Sequence, residues 1–260
     1  MQLRERYDIL RQIGRGTTAS VFLVRDKHLD KRWVVKAFDV GLLQSKENCW
    51  MIQNEINILK QLTDLHMPRA IDLCREPGRV YLVMDYMEGM TLKNHIEQYG
   101  PVSEEVALGW MAELCKMILQ LHQMEPMLLF CDLKPENVIL KKDGRLALID
   151  FGSARFVTDC EKDGFCMTGT KGYTAPELFV ESGQWKSFLT PDVDVYSVGA
   201  MGLYMSTAMH PINGAVILGE KFREESLLSK PFRKLIMDCM EEKARRIKFP
   251  QVLLDKIEKM

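Results

Sequence analysis

The sequence predicts an α+β chain in two parts, a small β-rich part followed by a larger helical one. Three observations carry this. Roughly the first ninety residues are short β-branched and aromatic runs cut by glycine and proline turns. After Gly89 the apolar positions fall at helical spacing. Between the helices lies a polar, loop-rich stretch, Met127 to Glu177, with two short strands.

The elements follow in order. Tyr7–Ile13 half-alternates and ends at glycines, and Val21–Val24 and Trp33–Phe38 flank a polar turn at Leu29-Asp30-Lys31. The turn Glu76-Pro77-Gly78-Arg79 leads into a hairpin strand, Val80–Met84. A helix is predicted from about Lys46 to Leu62, since Cys49, Ile52, Ile56 and Leu59 repeat at three and four. Ser103 reads as the N-cap of a long helix with Val106, Trp110, Leu114, Met117 and Leu121 as its buried stripe. Further helices are expected over Val193–Met205, Pro231–Met240 and Pro250–Ile257.

Composition narrows the function classes. The 260 residues hold 35 Lys and Arg against 36 Asp and Glu, a net charge of −1, which argues against nucleic-acid binding and against a polybasic membrane patch. At 47% apolar the chain can bury a sizeable core. No apolar run is long enough for a membrane span, and the polar start Met-Gln-Leu-Arg-Glu-Arg does not read as a signal peptide. Seven cysteines without a CxxC pair argue against structural zinc or a disulfide scaffold, so a reducing, cytoplasmic setting is expected.

Gly14-Arg15-Gly16 sits between two strands, where glycines expose amide N–H groups to phosphate oxygens; alone, the pattern also fits an ordinary hairpin. Lys36 ends the run Trp33-Val34-Val35-Lys36. Glu55 shares a helix face with Ile52 and Leu59, so it is either a rim residue or the partner of a cation such as Lys36. The strongest signal is Asp132-Leu133-Lys134-Pro135-Glu136-Asn137 with Asp150-Phe151-Gly152 beyond a hairpin. Two carboxylates, an ammonium and an amide are what phosphoryl transfer requires: a base for a hydroxyl, a cation for the moving charge, and oxygen ligands for Mg²⁺.

These motifs, in this order, resemble the eukaryotic-type protein kinase family, over nearly the whole chain from Ile13 to about Ile257. Ala175-Pro176-Glu177 is similar to the family's A-P-E, Asp194 to the aspartate that braces the catalytic loop, and Arg246 or Arg245 to the partner of Glu177. The resemblance implies a two-lobed protein-kinase fold as a single domain, with N-lobe 1–84, hinge 85–89 and C-lobe 90–260. It implies ATP and Mg as cofactors and Ser/Thr hydroxyls of proteins as acceptors, with any sensor or regulator a separate protein.

By the same resemblance, Gly14 and Gly16 cover the ATP phosphates, and Lys36, paired with Glu55, holds the α and β phosphates. Met84 backs the adenine, the backbone of Asp85 and Met87 meets its edge, and Ile13, Val21, Val34 and Ile139 wall it. Asp132 is the catalytic base, Lys134 steadies the γ-phosphate, and Asn137 with Asp150 binds the metal. Lys-Pro-Glu and Thr170 are similar to serine/threonine kinases. The chain departs from the family at Ala19, a third glycine there, at Val34, usually alanine, and at Phe130-Cys131, usually His-Arg. A neutral Cys131 cannot pair with a phosphate on the activation segment, so activity independent of such phosphorylation is expected. Two rivals are a kinase-like scaffold, opposed by the full set Lys36, Glu55, Asp132, Asn137 and Asp150, and a small-molecule phosphotransferase, opposed by Ala175-Pro176-Glu177. Cys160 and Cys166, six apart, are either a redox pair or simple thiols.

Overall fold

The computed structural model describes residues 3–16, 19–39, 41, 45–158, 169–179, 187, 189–211 and 228–260. Cys160, Cys166 and Thr168 lie outside the described residues, as do Thr17 and Thr18 of the glycine turn. The chain forms two compact units, Met1–Glu88 and Gly89–Met260.

The first unit opens with one helical turn, α1 (Leu3–Arg6), and builds an antiparallel sheet from β1 (Tyr7–Arg15), β2 (Ala19–Asp26), β3 (Arg32–Asp39), β4 (Ala70–Glu76) and β5 (Arg79–Asp85). Their order is β1-β2-β3-β5-β4. The β4–β5 turn needs Gly78, whose φ of 81° suits a residue without Cβ. Strand side chains alternate between faces, so one face of this sheet carries a core of Val24, Trp33, Val35, Ala37, Tyr81 and Val83, joined by Tyr7 and Cys74. The register sets Lys36 beside Val21 and Leu82, and Val34 beside Met84, on the opposite face. Helix α2 (Lys46–Leu59) is capped by Ser45 and ends a turn earlier than its apolar pattern predicts. It buries Ile52, Ile56 and Leu59, whereas Cys49, expected on that face, is exposed.

The second unit contains β6 (Met90–Thr91), α3 (Leu92–Tyr99), α4 (Glu104–His122), β7 (Leu128–Leu129), β8 (Val138–Leu140), β9 (Leu146–Leu148), β10 (Arg155–Phe156), α5 (Asp192–Thr207), α6 (Lys230–Met240) and α7 (Pro250–Ile257). The loop-rich middle thus holds four short strands where two are expected. Ser103 caps α4, accepting from the Val106 N–H. The buried face of α4 differs from the expected stripe: Leu114, Met117 and Leu121 are inside, but Val106 is exposed and Trp110 half-buried, while Ala107, Met111, Cys115 and Ile118 are buried. The reason is that α4 packs on both α5 and α7, so a broad arc replaces a single stripe. Helix α5 is buried along nearly its whole length. A Cβ at Gly199 would strike Cys239 of α6, and one at Gly202 would meet Met111 Sδ of α4 at 2.5 Å. Among the described residues no helix is long and apolar enough to cross a membrane.

Candidate active site

In the first unit, the glycine turn is bridged by the Gly16 N–H donating to the Ala19 carbonyl at 2.8 Å. A Cβ on Gly14 would stand 3.6 Å from Val21 and one on Gly16 3.8 Å from the Ala19 oxygen, ordinary contacts. The fold itself therefore does not demand either glycine. Beside the turn, the sheet face opposite the core gathers Val21, Val34, Lys36 and Met84. Val34 and Met84 are buried, Val21 is half-buried and Ile13 is exposed. The Lys36 ammonium bonds the Glu55 carboxylate, with side-chain exposures of 12% and 5%. Of the two readings of Glu55, the ion pair is the one found. Asp85 closes β5, and Met87 is half-buried.

In the second unit, β7 runs into Phe130, Cys131 and Asp132. Cys131 takes φ of 63°, a strained value for a residue with a Cβ. Asp194, in the first turn of α5, secures this bend: its carboxylate accepts the Phe130 and Cys131 N–H groups, each at 2.9 Å, and lies 2.8 Å from His122 Nε2. From the other side the Thr174 hydroxyl donates to the Cys131 carbonyl at 3.1 Å. Phe130, in place of histidine, meets the Phe151 ring edge-on with centroids 5.1 Å apart.

Past the bend the polar groups converge. Asp132 Oδ2 receives Lys134 Nζ at 2.6 Å and Asn137 Nδ2 at 3.2 Å, and Asp132 Oδ1 receives the Thr170 hydroxyl at 2.8 Å. Lys134 Nζ also reaches Thr170 Oγ1 at 2.9 Å, closing a ring of three side chains. Burial pushes the Asp132 carboxyl up, Lys134 and Thr170 oppose this, and the negative charge of nearby Asp150 adds to it. Asn137 is joined to the residue before Asp150, just past β9, by the Ile149 N–H donating to its carbonyl at 2.9 Å. Ile139 is buried on β8.

The choice between Arg245 and Arg246 resolves to Arg246. Its side chain has no solvent exposure, it grips Glu177 with two nitrogens, the second at 3.0 Å, and it lies 5.0 Å from the Tyr196 ring centre. Three contributors escape sequence reasoning. His122 carries no ligand-type spacing, and Asp192, with Lys243 and Lys248 around it, is joined only by the fold. Arg155 resembles a surface cation in sequence but is buried, donating to the Gly152 and Ala154 carbonyls.

A family model described as the protein kinase domain matches residues 7–256. The chain belongs to the protein kinase domain family. The kinase domain is 30% identical over 203 residues to the serine/threonine-protein kinase kin-29 of Caenorhabditis elegans, an alignment covering 78% of this chain and 24% of that protein. It is 31% identical over 208 residues to the serine/threonine-protein kinase SCH9 of Saccharomyces cerevisiae, covering 79% and 24%. Against the CBL-interacting serine/threonine-protein kinase 12 of Arabidopsis thaliana the identity is 25% over 258 residues, covering 95% and 51%. The kinase domain thus spans a quarter to a half of the length of these relatives.

Proposed function

We propose that this kinase domain transfers the γ-phosphoryl group of ATP to serine or threonine hydroxyls of protein substrates. The observation that carries the reading is the ring of Asp132, Lys134 and Thr170, joined by Asn137 and anchored to Asp194. Asp132 holds the acceptor hydroxyl and takes its proton as the oxygen attacks, while Lys134 balances charge on the phosphoryl group in transit. The desolvation that raises the Asp132 pKa strengthens it as a base. In the first unit, Lys36 meets the α and β phosphates with Glu55 fixing its direction, Gly14 and Gly16 bring backbone without side chains to the phosphates, and Met84, Val34, Val21 and Ile13 contact the adenine.

Asn137 and Asp150 are the residues to hold Mg²⁺. The Asn137 amide nitrogen donates twice to Asp132, to its carbonyl at 3.0 Å and to its carboxylate, which leaves Oδ1 as the oxygen end. Among the described residues no cluster of three His, Cys, Asp or Glu could cage a metal. Two protein oxygens suit Mg²⁺, which keeps waters and phosphate oxygens as its remaining ligands. When bound, the ion neutralises phosphate charge.

Asp132→Asn and Asp150→Ala should each lower protein phosphorylation about a hundredfold or more with the fold intact. Near-wild-type transfer by either variant would remove that residue from its role. Retained transfer to a small hydroxyl metabolite in preference to any protein would favour the small-molecule reading instead.

Activity is further proposed to be independent of activation-segment phosphorylation. Cys131 offers no charge, Arg155 is buried against backbone carbonyls, and Lys134 is engaged by Asp132 and Thr170. Phosphatase-treated protein, its stoichiometry checked by mass, should keep most of its turnover. A tenfold drop would show that another cation reads a phosphate there.

A further inference from the structure

The end of β5 and the three residues after it, all within the first unit, are held by two arginines of that unit. Asp85 Oδ2 accepts both the main-chain N–H of Arg69, at 3.1 Å, and its Nε, at 2.8 Å, and Oδ1 accepts Nη2 at 3.4 Å. The Asp85 N–H in turn donates to the Arg69 carbonyl at 3.2 Å. The Arg69 main chain thus holds the Asp85 main chain, and its guanidinium fixes the Asp85 carboxylate. Three positions on, Glu88 Oε2 accepts Arg32 Nη2 at 2.8 Å, and the Arg32 guanidinium lies 5.4 Å from the Tyr86 ring centre. Met87 sits between these tethered positions.

We propose that Arg69 and Arg32 are positioning residues for the nucleotide base, clamping the backbone of Asp85 to Glu88 in the conformation that reads adenine. This rests on the assignment of Asp85 and Met87 as the adenine contacts. A guanidinium fork on a carboxylate fixes direction as well as distance, which a single flexible ammonium would not. A base edge is read by a donor and an acceptor at a set separation, so an extended segment free to move would lose both affinity and discrimination. Adenine presents a donor at N6 where guanine presents an acceptor at O6, and a rigid backbone pair rejects the wrong one by leaving its own groups unpaired. Contacts to the base are made equally in the ground and transition states, so a looser clamp raises KM and leaves kcat alone.

The test is steady-state transfer by the whole chain with ATP and with GTP, together with calorimetric Kd values for MgATP. The variants are Arg69→Ala, Arg32→Ala, the double variant and Arg25→Ala. The last removes the same charge from an exposed pair with Asp30 elsewhere in the first unit. Arg32–Glu88 is an exposed pair and Arg69–Asp85 is exposed on the arginine side, so their energies are small, and each clamp variant should raise KM and Kd for ATP about threefold and the double variant about tenfold. Turnover should stay unchanged, the preference for ATP over GTP should fall in proportion, and Arg25→Ala should match wild type. A double variant with wild-type KM overturns the proposal, as does an equal rise for ATP and GTP, or a fall in kcat and melting temperature with the base preference intact. Wild-type protein that fails to bind ATP would overturn the underlying adenine assignment, a result seen before any arginine is changed.

Discussion

Asp26 and Asp194 are both carboxylates without solvent exposure, one in each unit, and they are satisfied in opposite ways. Asp26 ends β2 and accepts the N–H groups of His28 and Leu29, at 2.9 and 3.1 Å, with Arg6 Nε at 2.9 Å. Its amide donors lie two and three residues away, so it closes its own turn. Asp194 reaches amides 63 and 64 residues away in sequence. Its hydrogen bonds go to another segment, which they hold in place. The same burial thus serves local stability in one unit and the geometry of the proposed catalytic loop in the other.

The largest effect expected from breaking this contrast is at Asp194. In Asp194→Asn a single amide oxygen faces donors that two carboxylate oxygens now serve, leaving a buried N–H unpaired at a cost of about 1–3 kcal/mol. The bend at Cys131 should loosen, and a shift of about 1 Å in a positioned base can cost about a hundredfold in turnover. Asp26→Asn should cost about 1–2 kcal/mol with kcat unchanged. Melting curves and kcat for the two variants check this, and an equal loss of kcat in both would erase the distinction.

Glu55 is an intermediate case, a buried carboxylate held by Lys36 from a neighbouring element. Lys36→Met leaves Glu55 buried without its cation, so adding Glu55→Gln should recover part of the stability lost. A coupling of about 1–3 kcal/mol is expected in a double-mutant cycle. Strict additivity in denaturation would mean that the pair does not act as a unit.

A smaller effect is the pH dependence at Asp26. Burial works to raise its pKa, but the N–H groups of His28 and Leu29 and the Arg6 guanidinium together hold it below the usual carboxylate range. A carboxylate depressed in the folded state adds stability above its unfolded pKa of about 3.9 and loses it as pH falls through the folded value. The stability gap between wild type and Asp26→Asn should therefore be constant at neutral pH and shrink only in acid. A gap that widens on acidification would reverse the sign of the argument. Smallest of all, Arg25→Ala breaks an ion pair exposed on both sides and should leave the melting temperature unchanged.

The same contrast explains what could be read in advance. Strands β1, β2, β3 and β5 and the helices α6 and α7 follow from patterns within a few residues, and the Asp132 to Asn137 and Asp150 motifs are short enough to read directly. The eight-residue α3 is too brief to show a period, though Thr91 caps it. The inward face of α4 depends on two neighbours that a single stripe cannot encode. In the sequence, a Lys36–Glu55 pair is one of two readings, because a face shared with apolar residues does not say what lies opposite. His122 and Arg155 carry no local mark, since each is defined by groups from a different part of the chain or by burial alone.

The tight seating of α5 has a consequence for exchange with solvent. Gly199 and Gly202 bring its backbone against α6 and α4 so closely that no methyl group fits, and its amides have no exposed face through which water could enter. Local fraying therefore cannot release them, and they should exchange with deuterium only through global opening of their unit. Asp194 hangs from the first turn of that helix, so the bend it holds at Cys131 should share this slow clock, while the amides of the exposed strand β1 exchange orders of magnitude sooner.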